Sequence, residues 1–410
     1  MNQPLPKSRS ALRGAARLAV QATAGVTDLV EGMHQRIAIS VGQPAKAVGR
    51  TTGITGLVYR NVRGMIDLVG GGVDALLGLL EPLLVGPESS PGPRREALLA
   101  ALNGVVGDHL AATDNPLATS MALRQHGRAV LLEKVALRER FPSAGDTVLV
   151  LIHGLCMNDL QWLREGNDHG AALASTLNAT PLYLRYNSGL PIAENGLRFA
   201  ETMAQLQAAW PVRLRRIVLV THSMGGLVAR SALHQAAPTA QSWRARVSDL
   251  IFLGTPHFGA PLERAGHSLD ILLNHLPYAA PLARVGGMRS AGITDLRHGR
   301  VRHASDPAGA DAPLPLPEGP RCWAIAGSLG QDGRQVRTRL LRGVLGDGLV
   351  PLDSALGRNR DANRTLHLAP DRQWVAQGVG HLALLSDVGV QSQLVRWLKP
   401  AFSGDGTAQG

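Results

Sequence analysis

"VTHSMGGLVAR", Val220–Arg230, decides how this chain is read. An apolar, β-branched run, "RIVLV" (216–220), leads into it, and a helical pattern, "GGLVARSALHQ", leads out. Strand, sharp turn, helix is the setting in which a G-x-S-x-G turn lifts a serine off a strand end as a nucleophile. Residues two before and two after that serine crowd one another, so both positions favour small side chains. Gly225 meets the demand. Thr221 stands where the pattern has its first glycine, and a β-branched residue fits there less comfortably. The stretch predicts Ser223 as a nucleophile on an imperfect turn, and the rest of the chain must supply its partners.

Outward from this turn the sequence keeps an αβ rhythm. "DTVLVLI" (146–152), "PLYLRY" (181–186), "DLIFL" (249–253) and "CWAIAG" (322–327) are short, continuous apolar runs like "RIVLV". Strands that read this way are buried on both faces, as in parallel sheets. Helical stretches fall between them, at about 168–178, 192–210 and 226–237, with a last one at about 384–398. "MALRQHGRAVLLE" adds two short strands around Gly127, and "TLHLAP" (365–370) reads as strand-like. The alternation predicts a mostly parallel sheet with helices on both sides. An insertion over 257–320 interrupts it, with a helix-like "LERAGHSLDILLNHL" and a proline-rich "DPAGADAPLPLPEGP" (306–320). So long a connection is expected to be a cap or lid over the strands' C-terminal edge, where ligands bind in such sheets.

An attacking serine needs an oxyanion hole, an acid and a base. The N–H of Met224 follows the nucleophile and opens a helix, whose dipole favours negative charge. The loop after "VLVLI" carries His153-Gly154, which places the Leu155 N–H as the second donor. In chain order the acid should come next and the base last. Asp347, between two glycines in "GVLGDGLVPLDSA", is favoured as the acid over Asp353 and Asp332. His381, in "GVGHLALLSD" before the last helix, is expected to be the base, while His367 reads as structural. His222, beside the nucleophile, is expected to point away from the site into packing. His153 shapes the oxyanion loop, and His257 in "GTPHFGAP" braces the floor beneath the lid. No metal-ligand spacing stands out.

The N-terminal 117 residues follow a different regime, helical with glycine interruptions. In "NVRGMIDLVGGGVDALLGLLEPLLVG" (61–86), Asp67, Asp74 and Glu81 share one helical face and nearly all else is apolar. So wide an apolar arc needs cover: the rest of the protein, a partner chain or lipid. "GPESSPGP" (86–93) reads as a linker, and 401–410 as a flexible tail. The chain of 410 residues carries a net charge of +11, mostly through scattered arginines, and only 4% aromatics. Scattered charge with few stacking platforms argues against nucleic acid as a partner. Cys156 and Cys322 are two, too few for a disulfide framework or a zinc site. No uncharged apolar run reaches the ~18 residues of a membrane span. The N-terminus makes a poor signal peptide, with Arg17 close to a short apolar piece. A cytoplasmic or peripherally membrane-associated protein is expected.

"IHGL", "THSMGGLVAR", "LGTPHFGAP", "GDGLVPLDSA" and "GHLALLSD", in this order, resemble α/β-hydrolase-fold lipases and carboxylesterases. The branch most similar is that of GPI inositol-deacylases and lecithin–cholesterol acyltransferases. The resemblance spans roughly 118–400. It implies an α/β-hydrolase catalytic domain there, a Ser223–Asp347–His381 triad, a small-molecule or lipid ester as substrate, and no cofactor. Residues 1–117 lie outside it. Acyl transfer, thioester or amide cleavage would use the same triad. A catalytically inactive scaffold would be expected to lack one of its members.

Overall fold

A computed structural model describes residues 92–238, 241–259, 290–330 and 346–399. The apolar helix at 61–86, the linker up to residue 91, the helix-like piece of the insertion, Asp332 and the C-terminal tail lie outside the described residues.

Eight strands form one sheet. In chain order they are β1 (Ala122–Gln125), β2 (Arg128–Ala129), β3 (Thr147–Ile152), β6 (Thr180–Arg185), β7 (Arg216–His222), β8 (Val247–Leu253), β9 (Arg321–Ser328) and β10 (Gln373–Gln377). A separate two-stranded ribbon pairs β4 (Leu163–Arg164) with β5 (Asn167–Asp168). The order across the large sheet is β10-β9-β8-β7-β3-β6-β1-β2. From β10 to β6 every neighbour is parallel, and β1 joins β6 antiparallel. All six residues of β3 are buried, as are six of seven in β7 and in β8. Their unbroken apolar lettering follows from helices on both faces. This is the α/β-hydrolase fold.

The five apolar runs become strands within two residues of the expected bounds. The helices read between them are α3 (His169–Leu177), α4 (Ile192–Ala209) and α5 (Met224–Ala236), with α8 (Val388–Leu398) at the end. One strand falls elsewhere. "TLHLAP" stays unpaired, and the edge strand is the next segment, "QWVAQ", which pairs β9 from Gln373↔Ala324 to Gln377↔Ser328. Leu366 and Leu368 are buried and His367 exposed, so the alternation is real but carries no ladder.

Two helices outside this rhythm bear on the site. The first, α1 (Pro93–Ala112), begins with proline in its first turn and leaves helical angles at Val106. It belongs to the stretch read as N-terminal segment. Leu98, Ala101, Leu102, Val105, Val106 and Leu110 on it join the same core as β3 and β7. The guanidinium of Arg185 on β6 reaches Glu96 of α1 and Asp159, and Arg124 of β1 binds Asp159 as well at 3.1 Å. The other, α6 (Ala291–His298), is the described helix of the 257–320 insertion. The short α2 (Lys134–Arg140) and the one-turn α7 (Leu352–Ala355) complete the helices used here.

Candidate active site

The loops leaving β3, β7, β8 and β10 meet above one edge of the sheet. Ser223 ends β7 and opens α5 with φ +52° and ψ −122°. A non-glycine residue held there is strained, and such strain persists only where the surroundings over-determine it. Here they do. The Ser223 N–H donates to the Leu253 carbonyl on β8 at 2.9 Å, and its own carbonyl accepts from the Gly226 N–H. Gly225 allows α5 to approach β3: a methyl there would lie 2.4 Å from the Ile152 oxygen and 2.7 Å from that of His153. Only glycine fits. Thr221 fits too. Its hydroxyl donates to the Ile251 carbonyl at 2.8 Å, so the residue that broke the pattern is satisfied against β8.

Asp347 and His381 lie together. The His381 Nδ1–H donates to Asp347 Oδ2 at 2.7 Å, and the His381 N–H donates to the Asp347 carbonyl at 3.0 Å. Asp347 Oδ1 accepts the backbone N–H groups of Leu349 and Val350, at 3.0 and 2.8 Å. Both carboxylate oxygens are occupied, so the acid is fixed in place. The proton on Nδ1 leaves Nε2 of His381 free to accept one. Gly254, with φ +58° at the end of β8, lies against the pair. Of the rivals, Asp353 sits half-buried on α7, and His367 faces solvent.

His222 is not turned away. Its Nε2–H donates to the His381 carbonyl at 3.1 Å, and the two rings lie 4.7 Å apart. The loop after β10 folds back over the end of β7, which brings His381 onto its neighbour. Burial, and then repulsion from His381 whenever that ring is protonated, hold His222 far below the ordinary imidazole range, so it is neutral. His222 Nδ1 is buried with no hydrogen-bond partner among the described residues.

The loop after β3 lies on the other side of Ser223. A methyl on Gly154 would come 3.1 Å from Ser223 Cβ. The His153 Nδ1–H donates to the Gly154 carbonyl at 2.8 Å, and the ring stacks on Tyr186 at 4.3 Å. The Tyr186 hydroxyl donates to the His153 carbonyl. Burial pushes His153 down to about 3, which makes it a neutral brace. Leu155 and Met224 are buried, and neither backbone N–H has an acceptor among the described residues. Cys156, the next residue, has φ +57°, and its N–H donates to Ser188 Oγ at 3.0 Å.

His257 is occupied elsewhere. Its Nδ1 lies 3.3 Å from a guanidinium nitrogen of Arg230, and burial keeps it neutral. No cluster of histidine, cysteine and carboxylates able to hold a metal occurs among the described residues. Sequence reasoning missed Ser188 and its loop altogether. Its only signal was "YNSGLPI", a polar Asn-Ser-Gly between a strand and a helix.

Comparison with known proteins agrees with this architecture. The family model for the PGAP1-like alpha/beta domain, a GPI inositol-deacylase family, matches residues 201–285, from α4 through the Ser223 turn and β8. The resemblance drawn from the motifs stands. Solved structures similar to the chain include the Bacillus licheniformis lipase BlEst2 in mature form, at 18% identity over 62% of this chain and 91% of that one, TM-score 0.38. Aspergillus fumigatus lipase B is similar at 16% identity over 69% and 60%, TM-score 0.37. The Pyrococcus furiosus esterase Pf2001 is similar at 15% over 62% and 82%, TM-score 0.36. No curated protein matches.

Proposed function

We propose that this protein is a serine hydrolase of carboxylic esters. The observation that carries the reading is the pairing of two things at one sheet edge. A serine is held at positive φ on a strand-to-helix turn, and a buried histidine is fixed by a carboxylate that is itself fully hydrogen-bonded. His381 Nε2 takes the proton of Ser223 as Oγ attacks the ester carbonyl, and Asp347 stabilises the imidazolium. The N–H groups of Leu155 and Met224 receive the oxyanion. The alcohol leaves with the proton from His381. Water, deprotonated by the same base, then releases the acid from the acyl-enzyme. The chemistry needs no cofactor.

Apolar acyl groups suit the surroundings. Leu329, 55% exposed, lies against Gly348 and Gly380, the neighbours of acid and base. Contact with a lipid surface through the N-terminal residues belongs to this reading as well. Among the described residues, no helix is long and apolar enough to cross a membrane.

The test is hydrolysis of p-nitrophenyl esters from acetate to palmitate by the wild type and Ser223→Ala. Loss of at least ~10³-fold in kcat is expected for the variant, with a preference for longer chains in the wild type. Equal rates for the two proteins on every ester would overturn the reading. An added alcohol that captures the acyl group would mark a transferase.

A further inference from the structure

We infer that Ser188 and Gly104 are positioning residues for the oxyanion loop, and that α1 is thereby part of the catalytic machinery. The inference rests on the proposed ester hydrolysis.

Cys156 holds a left-handed backbone conformation that a side chain rarely adopts. The peptide joining Leu155 to Cys156 takes its orientation from that residue; the Leu155 N–H lies in the peptide before it, and fixing the far side of Leu155 limits, through its Cα, where that N–H can point. Something must hold the strained residue, and two contacts do. From one side, Ser188 Oγ accepts the Cys156 N–H at 3.0 Å, both residues being buried. From the other side, α1 presses its backbone onto Cys156. A methyl on Gly104 would fall 2.2 Å from Cys156 Sγ and 3.0 Å from both its Cα and its N. A side chain at position 104 would displace the Cys156 sulfur and crowd the loop backbone beside it.

The two supports are locked to each other. Asn187 donates from Nδ2 to the Gly107 carbonyl of α1 at 2.8 Å, next to Ser188. A methyl on Gly189 would meet the Asn103 oxygen at 2.2 Å and the Gly107 N at 2.7 Å, so backbone lies on backbone here too. The insertion closes the ring. Ser290 Oγ donates to the Gly104 carbonyl at 2.7 Å, the Ala291 N–H donates to Asp108 Oδ2 at 2.8 Å, and the Gly292 N–H donates to the Gly189 carbonyl at 2.9 Å. The start of α6, α1 and the 187–192 loop form one assembly behind Leu155-Cys156.

This placement makes a demand that packing alone does not. A donor that serves the oxyanion acts on the transition state more than on the bound ester. Ser188→Ala removes the acceptor and frees the Cys156 peptide to turn. Gly104→Ala pushes the same peptide from behind. Both variants should lower kcat by about 10- to 100-fold, the cost of misplacing one catalytic donor, while KM for a p-nitrophenyl ester stays within about twofold. Inhibition by an alkyl trifluoromethyl ketone, which forms a tetrahedral adduct on the serine, should weaken by the same factor as kcat/KM. Ser188→Thr keeps the hydroxyl oxygen and should recover most of the rate.

Thermal melting of each variant shows that it is folded, and kinetics are compared on the folded protein. Wild-type kcat and wild-type ketone affinity in folded Ser188→Ala would overturn the inference. So would a loss in KM alone, or a Ser188→Thr no better than Ser188→Ala. If Ser223→Ala matches the wild type on all esters, the hydrolase reading itself has failed, which is a separate result.

Discussion

At the scale of single residues, Thr221 carries the lesson. The turn tolerates it because its hydroxyl is spent on the Ile251 carbonyl and the residue is fully buried. Restoring the usual glycine should therefore harm the protein. Thr221→Gly loses one buried hydrogen bond and gains chain entropy in the unfolded state, about 2 kcal/mol together. Urea unfolding should show that loss, with kcat little changed, because Ser223 already has its turn geometry. A glycine variant more stable than wild type would refute this account. Ser223, Asp347 and His381 could be singled out because each lies on a loop that follows a strand, Asp347 and His381 beside a glycine and Ser223 two positions before one, in the order the chemistry requires. The orientation of His222 and the role of Ser188 were not. Both depend on which loop folds over which strand end, and a contact across 159 or 32 positions leaves no periodicity to read.

At the scale of elements, strands buried on both faces announce themselves, and edges do not. The last strand has only β9 beside it, and only Ala376 on it is fully buried. "QWVAQ" therefore reads as polar, while two buried leucines made the unpaired "TLHLAP" look like the strand. The helix α1 was obscure for the opposite reason. It is buried around most of its circumference, so it lacks a clean polar stripe. Its apolar residues nonetheless belong to the core. Leu102→Ala on α1 should cost about 3 kcal/mol, as for other fully buried leucines, and calorimetry should show the whole protein melting earlier in a single transition. An unchanged melting temperature would mean that α1 contributes nothing to that core.

At the scale of the molecule, the buried histidines set a pH limit. His153, His222 and His257 are all depressed, chiefly by burial, His153 to about 3. Unfolded, each returns to about 6.5. Below that value the unfolded chain binds protons that the folded one refuses, so stability present above pH 6.5 is lost as pH falls. The loss is about 1.4 kcal/mol per pH unit for each histidine. From pH 7.5 to 5.5 all three act in the same direction, against the folded state. The urea midpoint should drop over that range, and in His257→Gln it should drop less. A midpoint independent of pH would refute the assignment.

The separation of the site along the chain has a temporal side. The serine turn emerges from a ribosome well before its base, since the His222 and His381 loops are 159 positions apart. Asp347 and His381 are only 34 apart, and both come late. A chain made only as far as the serine turn holds Ser223 without Asp347 or His381. On the proposed mechanism, the nascent protein therefore cleaves no ester until the outer edge of the sheet has been laid down.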